Sequence, residues 1–330
     1  MPTFSEQKTN TPKHSFVIYK YLNRIISGDS LKILKRLPSE SVDCVVTSPP
    51  YWMLRDYRVK GQIGLEASIE DYLKKLLNVF AEIRRVLLPA GTVWVNFGDT
   101  YANPSKGGQQ NEVRGDLFDS LTKRAKLPKL KTKLTISAKS LCLIPERFAI
   151  KMIEAGWILR NQIIWHKPNV MPQSVRDRFT VDFEKMFFFV KQKRYYFERQ
   201  YEPLKSPEEM RRKFSNPFVN HHYRQTLRKR QTNLEVVKQA QAAILKRGRN
   251  KRCVWSIGTG TTNGNHSAVY PPRLIETPIK AGCPKDGIVL DPFMGSGTTA
   301  VVAKRLGRNF IGIELNKNYV KLSKQRLQKS

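Results

Sequence analysis

The chain has 330 residues, with 59 Lys+Arg against 27 Asp+Glu, a formal charge of +32 and a pI near 10.2. Its 40% apolar content excludes a disordered chain, and no window approaches the ~18 uninterrupted apolar residues of a membrane-spanning helix. So large a positive excess repels itself in a compact fold and is tolerated most easily when the partner is a polyanion, so nucleic acid is the first expectation, although charge separates neither DNA from RNA nor an enzyme from a packaging protein.

Four cysteines (Cys44, Cys142, Cys253, Cys283) are scattered without a Cys-x-x-Cys pair. That spacing suits neither a zinc finger nor a disulfide framework, and no metal site is expected. A reducing cytoplasm fits. The first residues lack an apolar signal core, so nothing marks the chain for secretion.

Residues 1–23 read as a polar N-terminal arm. From Arg24 to Cys142, strand-like and helix-like segments alternate. Val42–Thr47 is a β-branched run stopped by Ser48-Pro49-Pro50. Apolar residues at 69, 72, 73, 76, 77, 80, 83, 86 and 87 predict a helix over Ile69–Leu88. Pro89-Ala90-Gly91 breaks it, and Thr92–Phe97 reads as the next strand. Residues 101–140 carry nine Lys/Arg against three Asp/Glu and read as a long polar loop. The pattern resumes with a helix over Leu141–Ala155 and strands over Trp157–Trp165 and Lys185–Val190. This alternation predicts an α/β fold with a mostly parallel sheet flanked by helices.

From Lys191 to Arg252 there are 18 Lys/Arg against 5 Asp/Glu, interleaved with Tyr195-Tyr196-Phe197 and His221-His222-Tyr223-Arg224. Interleaved aromatic and basic residues suit phosphates and unstacked bases. The plainer alternative is a basic helical surface, with an amphipathic helix near Leu234–Leu245.

Asp286–Asp291 reads as a buried strand. It runs into Pro292-Phe293-Met294-Gly295-Ser296-Gly297-Thr298-Thr299-Ala300, then a helix over Ala300–Leu306, then a second strand over Asn309–Glu314. Asp291 and Glu314 lie 23 residues apart. Glycines let a backbone approach a ligand, and an acid at the tip of the next strand can take ribose hydroxyls, the physics of an adenosine site. Gly295-x-Gly297-x-x-Ala300 also satisfies the dinucleotide fingerprint. Against that, Asp291 just before the loop would repel a pyrophosphate and suit a sulfonium or ammonium cation.

Thr47-Ser48-Pro49-Pro50-Tyr51-Trp52 follows its strand directly. Ligands of open α/β sheets bind beyond the carboxyl ends of strands. The prolines rigidify the turn, Ser48 offers an oxygen and Tyr51 a flat face. Together they could hold an extruded base, its ring on Tyr51 and its amine donating to Ser48 Oγ and the Pro49 carbonyl. A strand-terminating turn with a core tyrosine is the structural alternative.

Taken together, the Thr-Ser-Pro-Pro-Tyr-Trp and Asp-Pro-Phe-Met-Gly-Ser-Gly-Thr-Thr runs resemble the S-adenosylmethionine-dependent amino-methyltransferases of DNA, found mostly in restriction–modification systems. Here the first run precedes the second by about 240 residues, the order of the family's permuted beta group. Ile26-Ser27-Gly28-Asp29-Ser30, Ile163–Pro172 and His266–Leu274 resemble further segments of that group. The resemblance spans roughly Arg24–Leu327. It implies a Rossmann-like, circularly permuted methyltransferase fold with an inserted target-recognition region. Residues 24–190 would form the catalytic half, 191–262 the recognition region and 263–330 the cofactor half, with the termini near each other.

The same resemblance implies a catalytic set of Ser48, Pro49, Pro50 and Tyr51. S-adenosyl-L-methionine would be held by Asp29, Asp291, Phe293, Gly295, Gly297, Thr298, Thr299 and Glu314. Double-stranded DNA is the expected partner, with a cognate restriction endonuclease in a prokaryotic cytoplasm. Ser at the first catalytic position goes in this family mainly with cytosine N4, and Asp or Asn with adenine N6, so N4-cytosine is expected and N6-adenine is the alternative. No Pro-Cys dipeptide occurs, so the thiolate route of ring-carbon methylation is not expected. A non-catalytic DNA-binding protein, an RNA or protein amine methyltransferase and an NAD enzyme are the competing classes.

Overall fold

A computed structural model of the chain describes residues 16–102, 136–170, 172–204, 206–208, 211–212, 234–259 and 270–330. Two compact units emerge, Met1–Phe197 with Val254–Ser330, and Glu198–Cys253.

The described strands of the first unit are β1 (Arg24–Ser27), β2 (Val42–Thr47), β3 (Leu87–Phe97), β4 (Ile158–His166), β5 (Phe183–Val190), β8 (Val254–Ser256), β9 (Ile288–Asp291) and β10 (Asn309–Glu314). They form one sheet in the order β1-β10-β9-β2-β3-β5-β4-β8. Every neighbouring pair is parallel except those made by β5, which runs antiparallel to β3 and β4. The mostly parallel α/β architecture read from the sequence is therefore the observed one.

Chain order explains where a ligand can sit. From β9 the chain moves outward to β10. From β2 it moves the opposite way to β3. The order reverses between β9 and β2, which opens a crevice at their carboxyl ends. β1 pairs with β10, so strands from opposite ends of the sequence are neighbours.

The helices of this unit are α1 (Ser30–Leu34), α2 (Ile69–Val86), α3 (Ile144–Glu154), α5 (Pro272–Gly282), α6 (Thr298–Arg305) and α7 (Lys317–Gln328). α2 starts where Ser68 caps the Asp71 amide and Glu70 and Asp71 meet the positive helix end. It buries Ile69, Tyr72, Leu73, Leu76, Val79, Phe80, Ile83 and Val86, each worth about 1.5–3 kcal/mol of transfer. That face joins Val45, Val93, Val95 and Phe97 of the sheet, with Phe80 edge-on to Phe148 of α3. On the opposite face α5 ends against Thr92 and Trp94, where a Cβ on Gly282 would lie 2.2 Å from Thr92 Oγ1. Trp94 stacks on its cross-strand neighbour Phe188 at 4.0 Å.

The second unit is described in part. β6 (Tyr201–Glu202) pairs antiparallel with β7 (Arg249–Asn250), following α4 (Leu234–Arg247). Glu202 receives both Arg249 and Arg252. His221–Arg224 and Arg228–Arg230 lie outside the described residues.

Several expectations shift. β3 begins at Leu87, not Thr92, because Leu87 already pairs with Val42 and the chain bulges through Pro89–Gly91 before pairing resumes at Cys44 and Thr92. α3 starts at Ile144, not Leu141, because Leu141 bridges Tyr101 and Leu143 is left-handed. The base of the polar loop is closed by this ladder, with Lys139 donating to the Ala102 carbonyl; residues 103–135 lie outside the described set. The arm expected through residue 23 contains a 3-10 helix, Phe16–Tyr21, with Ile18 buried in the core. Among the described residues no helix is long and apolar enough to cross a membrane.

Candidate active site

β1, β10, β9 and β2 are parallel neighbours, so their carboxyl ends lie along one edge. Asp29, Glu314, Asp291 and Ser48 all leave that edge. Residues widely separated in sequence are thus brought together by topology.

The glycine loop follows β9. Gly295 and Gly297 have φ of +54° and +88°, the left-handed region that glycine enters without steric cost. The two serve different ends. A Cβ on Gly297 would stand 2.7 Å from Ser323 Cβ of α7, so this glycine lets two helices approach. A Cβ on Gly295 would meet nothing closer than the Phe293 carbonyl at 3.9 Å, so this one leaves open room.

Asp291 is wholly buried. It accepts from Thr47 Oγ1 (2.6 Å), Thr299 Oγ1 (2.5 Å), the Tyr270 hydroxyl (3.1 Å) and the Phe293 amide (3.0 Å). Burial nevertheless outweighs these bonds and raises its pKa above the ordinary value. Glu314 accepts from the Gly295 amide (2.8 Å) and the Asn316 amide (2.7 Å), and burial raises its pKa too. Asp29 caps α1 through the Lys32 amide.

The eight positions expected to hold a cofactor therefore divide. Asp29, Phe293, Gly295 and Glu314 are half-buried at the edge, whereas Asp291, Gly297, Thr298 and Thr299 are buried behind it. Three braces escaped sequence reading. Ser30 Oγ donates to the Pro292 carbonyl (2.5 Å), Arg326 of α7 holds Ser296 and Thr298, and Tyr270 reaches Asp291. Ser30 and Tyr270 had a signal, inside the runs Ile26–Ser30 and His266–Leu274, and Arg326 had none; His266 to Val269 lie outside the described residues.

At the end of β2, Pro49 is buried and Ser48, Pro50 and Tyr51 are half-buried. The turn is pinned from α2, since the Tyr72 hydroxyl donates to the Pro50 carbonyl at 2.7 Å. The Tyr51 ring packs over Gly98, where a Cβ would come within 2.7 Å of its edge, and is near-parallel to Phe97. Its hydroxyl meets Ser48 Oγ (3.1 Å), Asn96 Nδ2 (2.9 Å) and Glu184 Oε2 (2.7 Å). Burial, then the Glu184 charge, pushes the Tyr51 pKa well up. Lys167 donates to the other Glu184 oxygen at 2.5 Å. Lys167 lies in the quoted run Ile163–Pro172; Asn96 and Glu184 carried no signal.

The cysteines are elsewhere in chemistry. Burial pushes the Cys44 thiol up to about 12, Cys142 to about 11 and Cys283 well above its usual value. These three are protonated core thiols and poor nucleophiles.

The family model described as DNA methylase (N6_N4_Mtase) matches residues 42–325. The chain is 39% identical over 304 residues to the Type II methyltransferase M.SmaI of Serratia marcescens, covering 92% of this chain and 90% of that protein. It is 38% identical to the Type II methyltransferase M.Cfr9I of Citrobacter freundii, over 92% and 87%. In fold it resembles PvuII DNA methyltransferase (cytosine-N4-specific), with a TM-score of 0.59, 22% identity and coverage of 92% and 85%. It also resembles M1.HpyAVI in its complex with SAM, with a TM-score of 0.50, 20% identity and coverage of 92% and 98%.

Proposed function

The chain belongs to the DNA methylase family, and on that premise we propose that it methylates the exocyclic N4 of cytosine in duplex DNA at a specific sequence. S-adenosyl-L-methionine is the donor and supplies a methyl group on a cationic sulfonium. Protection from a cognate restriction endonuclease in the cytoplasm is the purpose, in keeping with relatives that are Type II methyltransferases.

The residues present fit that donor. Gly295 leaves space where a side chain would fill the cradle. Asp29, Phe293 and Glu314 stand half-buried around it, and would hold the adenosine end. Asp291 stands behind the loop with a field that favours a cation. Thr298, Thr299 and Gly297 keep the loop against α6 and α7.

The target amine is placed by the β2 end. Ser48 Oγ and the Pro49 carbonyl accept its hydrogens, which favours a tetrahedral nitrogen with an exposed lone pair. Tyr51 gives the flipped ring a face. Transfer would then be a direct displacement: the nitrogen gains the methyl group as the methyl–sulfur bond breaks to leave a neutral thioether, and the nitrogen sheds its surplus proton to solvent, with positioning and electrostatics carrying the rate. The buried thiols offer no covalent route. Residues 191–262 are assigned to target recognition through their basic and aromatic content.

The observation that carries this reading is the Thr47–Asp291 bond of 2.6 Å, which joins the Ser-Pro-Pro-Tyr run to the glycine loop across the crevice. Its test is transfer of labelled methyl groups to duplexes of defined sequence, followed by protection mapping. Incorporation confined to one cytosine-containing site supports it, and no incorporation into any duplex sinks it.

A further inference from the structure

A serine hydroxyl is an ambiguous partner for an amine, because it can donate as readily as it accepts. The surroundings of Ser48 remove the ambiguity. The Tyr51 oxygen carries one proton and has three polar neighbours. The amide nitrogen of Asn96 can only donate to it. The ionised carboxylate of Glu184, paired with Lys167, can only accept from it. Asn96 is oriented by the same carboxylate, since its nitrogen also donates to Glu184 Oε2 at 2.5 Å, where its oxygen would be repelled. The single Tyr51 proton therefore goes to Glu184. The contact with Ser48 can then be made only if Ser48 donates.

We propose that Glu184 is a positioning residue that polarises the chain Ser48→Tyr51→Glu184, and so makes Ser48 Oγ an obligate acceptor for the exocyclic amine. With its proton spent on Tyr51, Ser48 turns lone pairs to the cleft, as the carboxylate or amide of other family members does by its own chemistry. Asn96, near the end of β3, and Lys167, just past β4, hold Glu184 in place through two bonds, one to each carboxylate oxygen. This inference rests on the amine-methylation reading above and explains how a serine can serve it.

The test is a double-mutant cycle with single-turnover kinetics on wild type, Glu184→Gln, Tyr51→Phe and the double variant. A glutamine can donate to Tyr51, which lets the chain reverse and point a Ser48 proton at the amine. Glu184→Gln is expected to lower the transfer rate about 10–100-fold, the worth of a hydrogen bond to a charged group, with cofactor affinity unchanged. In the Tyr51→Phe background the same change should cost almost nothing, because the chain is already cut. Full activity in Glu184→Gln overturns the proposal, as does an undiminished cost in the Tyr51→Phe background, which would mark a purely structural role. If Glu184→Gln does not fold, Tyr51→Phe alone decides, since it keeps the ring and loses only the hydroxyl; an unchanged rate overturns the proposal. Absence of DNA methylation by the wild type overturns the underlying reading instead, and is told apart by appearing before any variant is made.

Discussion

Thr47 Oγ1 donates to Asp291 Oδ1 at 2.6 Å, tying together two strand ends that lie 244 residues apart in sequence. The bond spans the point where the strand order reverses. It gives the turn proposed to bind the base and the loop proposed to hold the cofactor a common anchor. Thr47→Val keeps the shape and removes the bond. Denaturant unfolding should show a loss of about 1.5–3 kcal/mol, the usual worth of a hydrogen bond to a charged group. An unchanged midpoint and slope would mean that the anchor contributes nothing to stability.

Burial raises the pKa of both Asp291 and Glu314. For a carboxyl raised in the folded state, the stabilising contribution is full below the unfolded pKa and is lost as pH rises through the folded pKa. Asp291→Asn, which does not titrate, should therefore be as stable as wild type in acid and more stable at neutral pH. A cationic ligand needs the ionised form, so the same variant should lose cofactor binding. Wild-type affinity should weaken on acidification through the raised pKa, with proton release on binding. Calorimetry in buffers of different ionisation enthalpy reads that release directly.

The two loop glycines should separate stability from binding. Gly297→Ala sets a Cβ 2.7 Å from Ser323 Cβ at a φ of +88°, and the backbone strain alone costs about 1–3 kcal/mol. Its melting temperature should drop, and Ser323→Gly should restore part of the loss. Gly295→Ala meets no neighbour and costs only the left-handed penalty of about 1–2 kcal/mol, yet its methyl group intrudes on the cradle. It should lose less melting temperature than Gly297→Ala, which adds a steric clash to its backbone strain, and bind the cofactor more weakly. Equal effects on both properties in both variants would contradict this division.

Tyr51→Ala should leave cofactor affinity intact and weaken the flipped-base complex by about 1–3 kcal/mol, the value of one base stacked on an aromatic ring. Fluorescence of 2-aminopurine at the target position reads that loss. Unchanged flipping and turnover would remove Tyr51 from the base site.

A net charge of +32 also sets a measurable slope. DNA affinity should fall linearly with salt on a log–log plot, by ~0.9 per phosphate neutralised. A flat plot would mean that the basic surface does not meet the duplex backbone.

Much of the catalytic body was legible because its signals are local. Val42–Thr47 and Asn309–Glu314 match their strands residue for residue, since a β-branched run ended by proline and an apolar run ended by an acid are self-contained patterns. The start of β3 was not legible. Its pairing of Leu87 with Val42 overrides the break that Pro89 and Gly91 suggest. Glu184 and Asn96 were invisible for a different reason. Asn96 sits inside the strand read as Thr92–Phe97, whereas Glu184 precedes the strand read as Lys185–Val190, which in fact begins at Phe183; the bonds that join them to each other and to Tyr51 run across 88, 45 and 133 residues. No periodicity encodes such a meeting. The buried position of Asp291 likewise depends on Thr47 and Tyr270 arriving from elsewhere in the chain.

Nucleoside mass analysis of DNA methylated by the purified protein and S-adenosyl-L-methionine tests the central claim most directly. The account predicts N4-methylcytosine as the product. N6-methyladenine without N4-methylcytosine would contradict the assignment of Ser48 to a cytosine amine.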